Sequence, residues 1–180
     1  MDYYIAFEGR IDQQATFKLF TALKNAENKG ATRITILFSS LGGSIYEGFL
    51  LASVIQNSKI PIAIHATNHI DSIANVIYLS AKERTSESYT KFYLHGATSQ
   101  GSFDEKKLRD ELTAIKTNNI RIAYFISENS AIPLKRVQAM MRVGTTISAQ
   151  EALKYGVVQQ IKHLEIPLSE PREEIIFINL

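Results

Sequence analysis

The sequence predicts an α/β fold with a largely parallel sheet, and three observations carry that prediction. Short β-rich runs alternate with helical patterns along the chain. Two strand-to-helix joints, one at Gly42-Gly43 and one just before Ser72, are only a few residues long. The length of 180 residues, with 45% hydrophobic and 21% charged residues, suits one folded core. A chain of this size buries about 70% of its unfolded surface, so no disulfide or metal staple is required.

Each element has a local reason. Tyr3 to Phe7 (YYIAF) is a short β-rich run. Asp12 can cap a helix with Ala15, Leu19, Leu23 and Ala26 on one face, stopped at Gly30. Arg33 to Phe38 (RITILF) is rich in β-branched and aromatic residues and reads as a strand. After Gly42-Gly43, Ser44 and Glu47 form a capping-box pattern that opens the helix IYEGFLLASVI. Ile60 to Ala66 (IPIAIHA) reads as a buried strand, Ser72 to Ala81 as a short apolar helix, and Lys91 to His95 (KFYLH) as a strand.

The segment from Phe103 to about Ser127 is helical and long, with Leu108, Leu112, Ile115, Ile120 and Ala123 at its apolar positions. Such a helix spans roughly 37 Å. Its first turns are charged (Asp104, Glu105, Lys106, Lys107, Arg109, Asp110, Glu111) and its later half, around Ile120 to Phe125, is apolar. That polarity suits a helix that leaves the body of the domain and meets a neighbour. Pro133 fits the first turn of a further helix running through Met141. Ser148 and Glu151 supply a second capping box, and Gly156 ends that helix before VVQQI. Residues 1–162 form one domain in this reading and residues 163–180 a C-terminal tail. The tail's PREEIIFINL stretch, acidic and then apolar, suits a strand added at an interface.

Composition excludes several classes of function. The absence of cysteine removes disulfides, thiolate zinc sites, iron–sulfur clusters and a thiol nucleophile. Four histidines, of which only His65 and His69 are spaced at i, i+4 and neither lies on an expected helix, leave little for a histidine metal site. Twenty basic against 18 acidic residues give a net charge of +2, which argues against an electrostatic nucleic-acid binder. The longest apolar runs are too short to span a membrane, and the N-terminus lacks the features of a signal peptide. The expectation is a cytoplasmic protein that works without nucleic acid or membrane.

Three features could carry chemistry. The first is the Gly-Gly turn in S39-S40-L41-G42-G43-S44, where a backbone can approach a ligand closely and a following helix offers unpaired N–H donors. Second comes Ser72, at a helix start that favours developing negative charge. The third is His95, at the carboxyl end of an apolar strand, where parallel α/β sheets place their ligands. Each alone has an ordinary explanation: a tight turn, an N-cap serine, a structural histidine. His65 falls within a strand and His69 in the turn after it, and both rank lower as candidates.

In combination, the order of Gly-Gly turn, serine and strand-end histidine resembles the Clp protease proteolytic subunit family (ClpP), from about Tyr4 to Ile161. YIAFEGRID is similar to the family's opening strand and turn. ILFSSLGGSIYEG is similar to its strand ending in S-P-G-G-S, with Leu41 in place of proline. HATNHIDSIANVIYLSAKE resembles the nucleophile segment, with D-S-I-A where A-S-M-G or A-S-M-A is usual. KFYLHGATSQG resembles the strand bearing the catalytic histidine, and ISAQEALKYGVVQQI the family's L-S-A-x-E-A-x-x-Y-G-L-V-D-x-I ending.

The resemblance implies a ClpP/crotonase-like spiral of β-β-α units in which the long helix is a protruding handle. It implies a serine endopeptidase cleaving peptides or unfolded polypeptides, with Ser72 as nucleophile and His95 as general base. Gly43 and Ile73 N–H groups would form the oxyanion hole. A homo-oligomeric ring of six or seven subunits, singly or stacked, is implied, and no cofactor or metal is needed. At the position of the family's third triad member, usually aspartate, this chain has Gly144. Thr145 or Thr146 is then the candidate third member, or an acid such as Asp71 or Asp104 replaces it. Loss of such an aspartate can cost ~10⁴ in rate. A catalytically impaired or non-catalytic ClpP-like structural subunit is therefore the main alternative. A Ser/Lys dyad using Lys91, Lys106 or Lys107 and a crotonase-like acyl-CoA enzyme rank behind it. Met1 stands two or three residues before the first strand, where the family carries a loop and helix that meet an AAA+ unfoldase, so that partner is not expected.

Overall fold

Among the described residues eight strands form one sheet, with helices in the connections between them. The structure, a computed structural model, describes residues 1–166 and 171–176. In order the elements are β1 (Asp2–Glu8), α1 (Gln13–Asn28), β2 (Arg33–Ser40), α2 (Ile45–Gln56), β3 (Ile62–Asp71), α3 (Ala74–Ser80) and β4 (Glu83–Ser86). Then come β5 (Lys91–Leu94), α4 (Glu105–Glu128), α5 (Leu134–Val143), β6 (Thr145–Ser148), α6 (Ala149–Lys154), β7 (Gln160–Ile161) and β8 (Arg172–Ile176). The sheet order is β6-β5-β3-β2-β1-β8, with β4 paired to β3 and to β7. Every pairing is parallel except β5 with β6. The predicted α/β class with a largely parallel sheet is the observed one.

Alternate residues of the central strands form an apolar row along one face of the sheet. Tyr3, Ile5 and Phe7 of β1 and Ile34, Ile36 and Phe38 of β2 are all buried. Helix α1 turns Ala15, Leu19, Ala22 and Ala26 inward, and Asp12 accepts from the Ala15 N–H at 2.8 Å as its cap.

Strand β3 forks, and the fork organises the site. Its first half, Ala63 to Ala66, pairs with β4; its second half, His69 to Asp71, pairs with β5. Here the structure departs from the sequence expectation. The strand expected to end at Ala66 continues through Thr67, Asn68 and His69, whose polarity mimics a turn, because its neighbour changes there from β4 to β5. His69 therefore lies in the strand and not in a turn. Asp71 lies in the strand as well, and the helix expected from Ser72 begins at Ala74 with no side-chain cap.

Other boundaries shift less. Helix α4 starts at Glu105, because Asp104 is its cap and accepts from the Lys107 N–H at 2.8 Å. The run VVQQI contributes only Gln160–Ile161, since Val157 and Val158 turn into the core. Ser148 and Glu151 close both bonds of their capping box, whereas Ser44 accepts from the Glu47 N–H at 3.3 Å without a return bond. The tail strand β8 joins this chain's own sheet beside β1, Tyr4 opposite Arg172, instead of an interface; residues 177–180 of the tail lie outside the described residues.

Helix α4 is exposed along its first half and buries only Ile122, Ala123 and Ile126. Leu108, Leu112, Ile120 and Tyr124 stand 49–58% exposed, which matches a helix leaving the body. At the other end Arg84 of β4, 9% exposed, donates to the carbonyls of Ala81, Val157, Gly156 and Asn129. It ties β4 to the C-terminus of α4 and to the chain after α6. Among the described residues no helix is long and apolar enough to cross a membrane.

Candidate active site

Ser72 sits on the turn between β3 and α3 with φ at +57°, the one non-glycine residue with positive φ among those described. A serine in the left-handed region costs about 1–3 kcal/mol unless its surroundings impose it. Here they do. The Ser72 N–H donates to Tyr93 O at 2.9 Å, which fixes the turn to the end of β5. Asn75, 2% exposed, brings its amide nitrogen within 3.0–3.1 Å of the carbonyls of Ile70, Ser72 and Tyr93. Sequence reasoning did not single out Asn75, though a lone amide within the apolar run IANVIYL was a usable signal.

The Gly-Gly turn packs directly on Ser72. A β-carbon on Gly42 would stand 2.6 Å from Ser72 Cβ and 2.9 Å from Asp71 O; on Gly43 it would stand 2.2 Å from Ile11 O. Ile11 bridges this turn, donating its N–H to Gly42 O and accepting from Ser44 N. In a parallel bridge the central residue's own N–H points away from its partner, so the Gly43 N–H is left on the side opposite Ile11. The backbone after Ser72 packs on α2, where Gly48 makes room for Ile73: a β-carbon there would lie 2.2 Å from Ile73 Cγ1.

His95 follows β5 directly. In the β3–β5 register Asp71 faces Tyr93, so the chain reaches Ser72 and His95 at neighbouring carboxyl ends. The His95 Nδ1 lies 2.7 Å from Gly96 O. A carbonyl only accepts, so Nδ1 is the donor, and in the neutral ring the lone pair is then on Nε2. Helix α4 holds the following segment, Asn119 Oδ1 accepting from the Ala97 N–H at 2.7 Å. No hydrogen bond joins Ser72 Oγ to His95 among the described residues. Such bonds commonly tighten only when substrate is present.

Neither Thr145 nor Thr146 is hydrogen-bonded to His95 among the described residues. The antiparallel β5–β6 register pairs Leu94 with Thr145, so one step further sets Gly144 opposite His95. Thr145 donates its hydroxyl to Met140 O, Thr146 faces Tyr93 and is exposed, and the Nδ1 contact goes to the Gly96 carbonyl. Asp104 is engaged as the α4 cap.

Asp71 shares a sheet face with Tyr93. Its Oδ1 is buried without a hydrogen-bond partner, and Oδ2 lies 3.9 Å from His69 Nδ1. Burial pushes the Asp71 carboxyl above its ordinary range, against the pull of His69, His95 and the Tyr93 amide. His65 is a structural histidine, 1% exposed, bonded to Thr85 at 2.8 Å and to Glu87 at 3.3 Å. Lys91 pairs in register with His69 and Ser148, while Lys106 pairs with Asp110 on the exposed start of α4.

Beside His95 opens a cleft of about 640 Å³ between β5, α4 and α5, bordered by Tyr93, Asn119, Met141 and Gly144. Another cleft, of about 540 Å³, lies at the amino ends of the strands near Arg33, Lys59 and Arg84, remote from Ser72. Of these two clefts the first is lined by His95, and Ser72 lines neither.

The sequence profile of the Clp protease family matches residues 2–165. The chain belongs to the Clp protease family. Clp proteases are serine peptidases whose subunits form homo-oligomeric rings and act on peptides. Among solved structures the Clp protease chain is similar to a point mutant of ClpP1 from Listeria monocytogenes. The two share 23% identity and a TM-score of 0.81, over 89% of this chain and 91% of that one. No curated protein matches the sequence.

Proposed function

We propose that this Clp protease chain is a serine endopeptidase that cleaves peptides or unfolded polypeptides through a Ser72–His95 acyl-enzyme mechanism. The observation that carries the reading is the constrained turn at Ser72, a serine with φ at +57° pinned to the strand that ends at His95. A strained strand-to-helix turn of this kind exposes a nucleophilic hydroxyl beside backbone N–H donors.

In the first step Ser72 Oγ attacks the scissile carbonyl carbon while its proton passes to His95 Nε2. The Gly43 and Ile73 N–H groups receive the oxyanion. Collapse breaks the C–N bond, and the departing amine takes the proton from Nε2. Water then attacks the acyl ester, gives a proton to Nε2, and releases the acid as that proton returns to Ser72 Oγ. An extended peptide fits beside the Gly42-Gly43 segment and the stretch after His95 as an added strand, with a side chain directed to the neighbouring cleft. The exposed apolar positions of α4 are the surface through which rings of six or seven subunits would stack face to face.

A fluorophosphonate probe tests this. Labelling of the wild type that is lost in Ser72→Ala, together with cleavage of a fluorogenic peptide, is the expected result. Folded wild-type protein that neither labels nor cleaves sinks the reading. That outcome would favour a non-catalytic ClpP-like subunit, the alternative motivated by the bare backbone of Gly144, which lines the cleft beside His95.

A further inference from the structure

Gly144 and Tyr93 occupy each other's space. A β-carbon on Gly144 would stand 2.7 Å from the Tyr93 hydroxyl oxygen and 3.4–3.5 Å from two ring carbons. Gly144 also has φ at +72°, so any side chain there would be strained as well as blocked. The Tyr93 ring in turn lies flat against the His95 imidazole, centroids 5.0 Å apart and planes 25° apart. Residues i and i+2 of a strand share a face, which explains their proximity but not the parallel stacking.

We propose that Tyr93 is the positioning residue of His95: its ring stacks on the imidazole, and its hydroxyl fills the place a side chain at position 144 would take. The inference rests on the Ser72–His95 reading of the site and adds the group that holds the base in line.

An imidazole needs two constraints before Nε2 can point at a serine. Its tautomer must be set, and its rotation about the side-chain bonds must be limited. The Gly96 carbonyl sets the tautomer at 2.7 Å. A carboxylate reaching in from the neighbouring strand could meet both needs at once. Gly144 offers no side chain, and the stacked face of Tyr93 supplies the rotational constraint instead. The residues at 93 and 144 are thus coupled: a side chain at 144 must displace the Tyr93 hydroxyl and with it the stacked ring.

The test uses the full chain and two readouts, long-range nitrogen–proton NMR of the His95 ring and the pH profile of fluorophosphonate labelling at Ser72. Wild type is expected to show one His95 tautomer, protonated at Nδ1. Tyr93→Ala, with native circular dichroism, frees the ring to rotate off the Gly96 carbonyl, and is expected to show mixed tautomers and a labelling rate at least about tenfold lower with a displaced pH midpoint. Tyr93→Phe keeps the stacked ring and is expected to recover most of that loss. Tyr93→Leu keeps apolar bulk without a flat face and replaces the alanine variant if that one does not fold. Gly144→Asp is expected to raise labelling only in the Tyr93→Ala background. An unchanged tautomer and pH profile in Tyr93→Ala and Tyr93→Leu, or an equal effect of Gly144→Asp in both backgrounds, overturns the proposal. If the wild type takes no label while its His95 tautomer still depends on Tyr93, the peptidase reading fails and the positioning role stands.

Discussion

Gly42 lies against Ser72 so closely that a β-carbon on the glycine would stand 2.6 Å from the serine's own. The residue read as nucleophile and the Gly-Gly turn read as part of its oxyanion site are thus in direct contact, although 30 residues separate them in the chain. Gly42→Ala must displace either the turn or the serine, and φ at +92° adds strain. Its expected outcome is a drop of at least about 100-fold in Ser72 labelling, since displacements near 1 Å carry that cost. Labelling kinetics beside a thermal melt check it; a wild-type rate would show that the contact is tolerant.

Asn75 makes a sharper test of what holds the turn. Its amide is buried against three carbonyls, and Asn75→Ala removes the donor while leaving those carbonyls in place. Loss of a buried partner costs about 1–3 kcal/mol, so the melting temperature should fall by several degrees. Because the same amide joins the Ser72 turn to Tyr93, hydrogen exchange at Ser72 and Val76, whose N–H groups donate to Tyr93 O and Ile73 O, should speed up more than exchange in β1 and β2. Uniform acceleration across the sheet would argue against a local clamp.

Arg84 is expected to be a large contributor to stability despite its charge. Its guanidinium satisfies carbonyls at Ala81, Asn129, Gly156 and Val157, and burial lowers its pKa. Arg84→Met keeps the stem and abandons the carbonyls, at an expected cost of about 3 kcal/mol. Denaturant unfolding measures this; a loss under about 0.5 kcal/mol, the range of ordinary surface changes, would contradict it.

Acid should destabilise the protein in two stages. Burial lowers the His65 pKa from 6.5, with Glu87 pulling the other way and Lys162 and His163 adding slightly to the depression. Unfolded His65 therefore takes up a proton that the folded form resists, and stability present above about pH 6.5 is lost as pH falls below it. Glu87 adds a second stage. Burial would raise its pKa, but hydrogen bonds from His65, His163 and the Leu164 amide together bring it below 4.5. Its contribution is present above that value and lost as pH falls through the lower folded one. Chemical unfolding between about pH 7 and 3 checks both stages. His65→Gln should flatten the upper part of the curve, and a parallel curve would remove His65 as its source.

By itself the sequence determined what short-range rules control. The Asp12 cap, the Ser148–Glu151 capping box, the charged and apolar halves of α4 and the strand-end position of His95 all follow from neighbours a few residues apart. The Gly-Gly turn, Ser72 and His95 could be named from their order along the chain for the same reason. Tertiary structure decided the rest. The polar stretch Thr67-Asn68-His69 became strand because β5 arrives to pair with it. Arg84 found acceptors more than 70 residues away at Gly156 and Val157. Gly144 came to face His95 only through antiparallel pairing of β5 with β6, and the space beside it went to Tyr93. Local propensity extends over a turn or two of chain, whereas the orientation of a base depends on which side chains three separate strands bring into van der Waals contact.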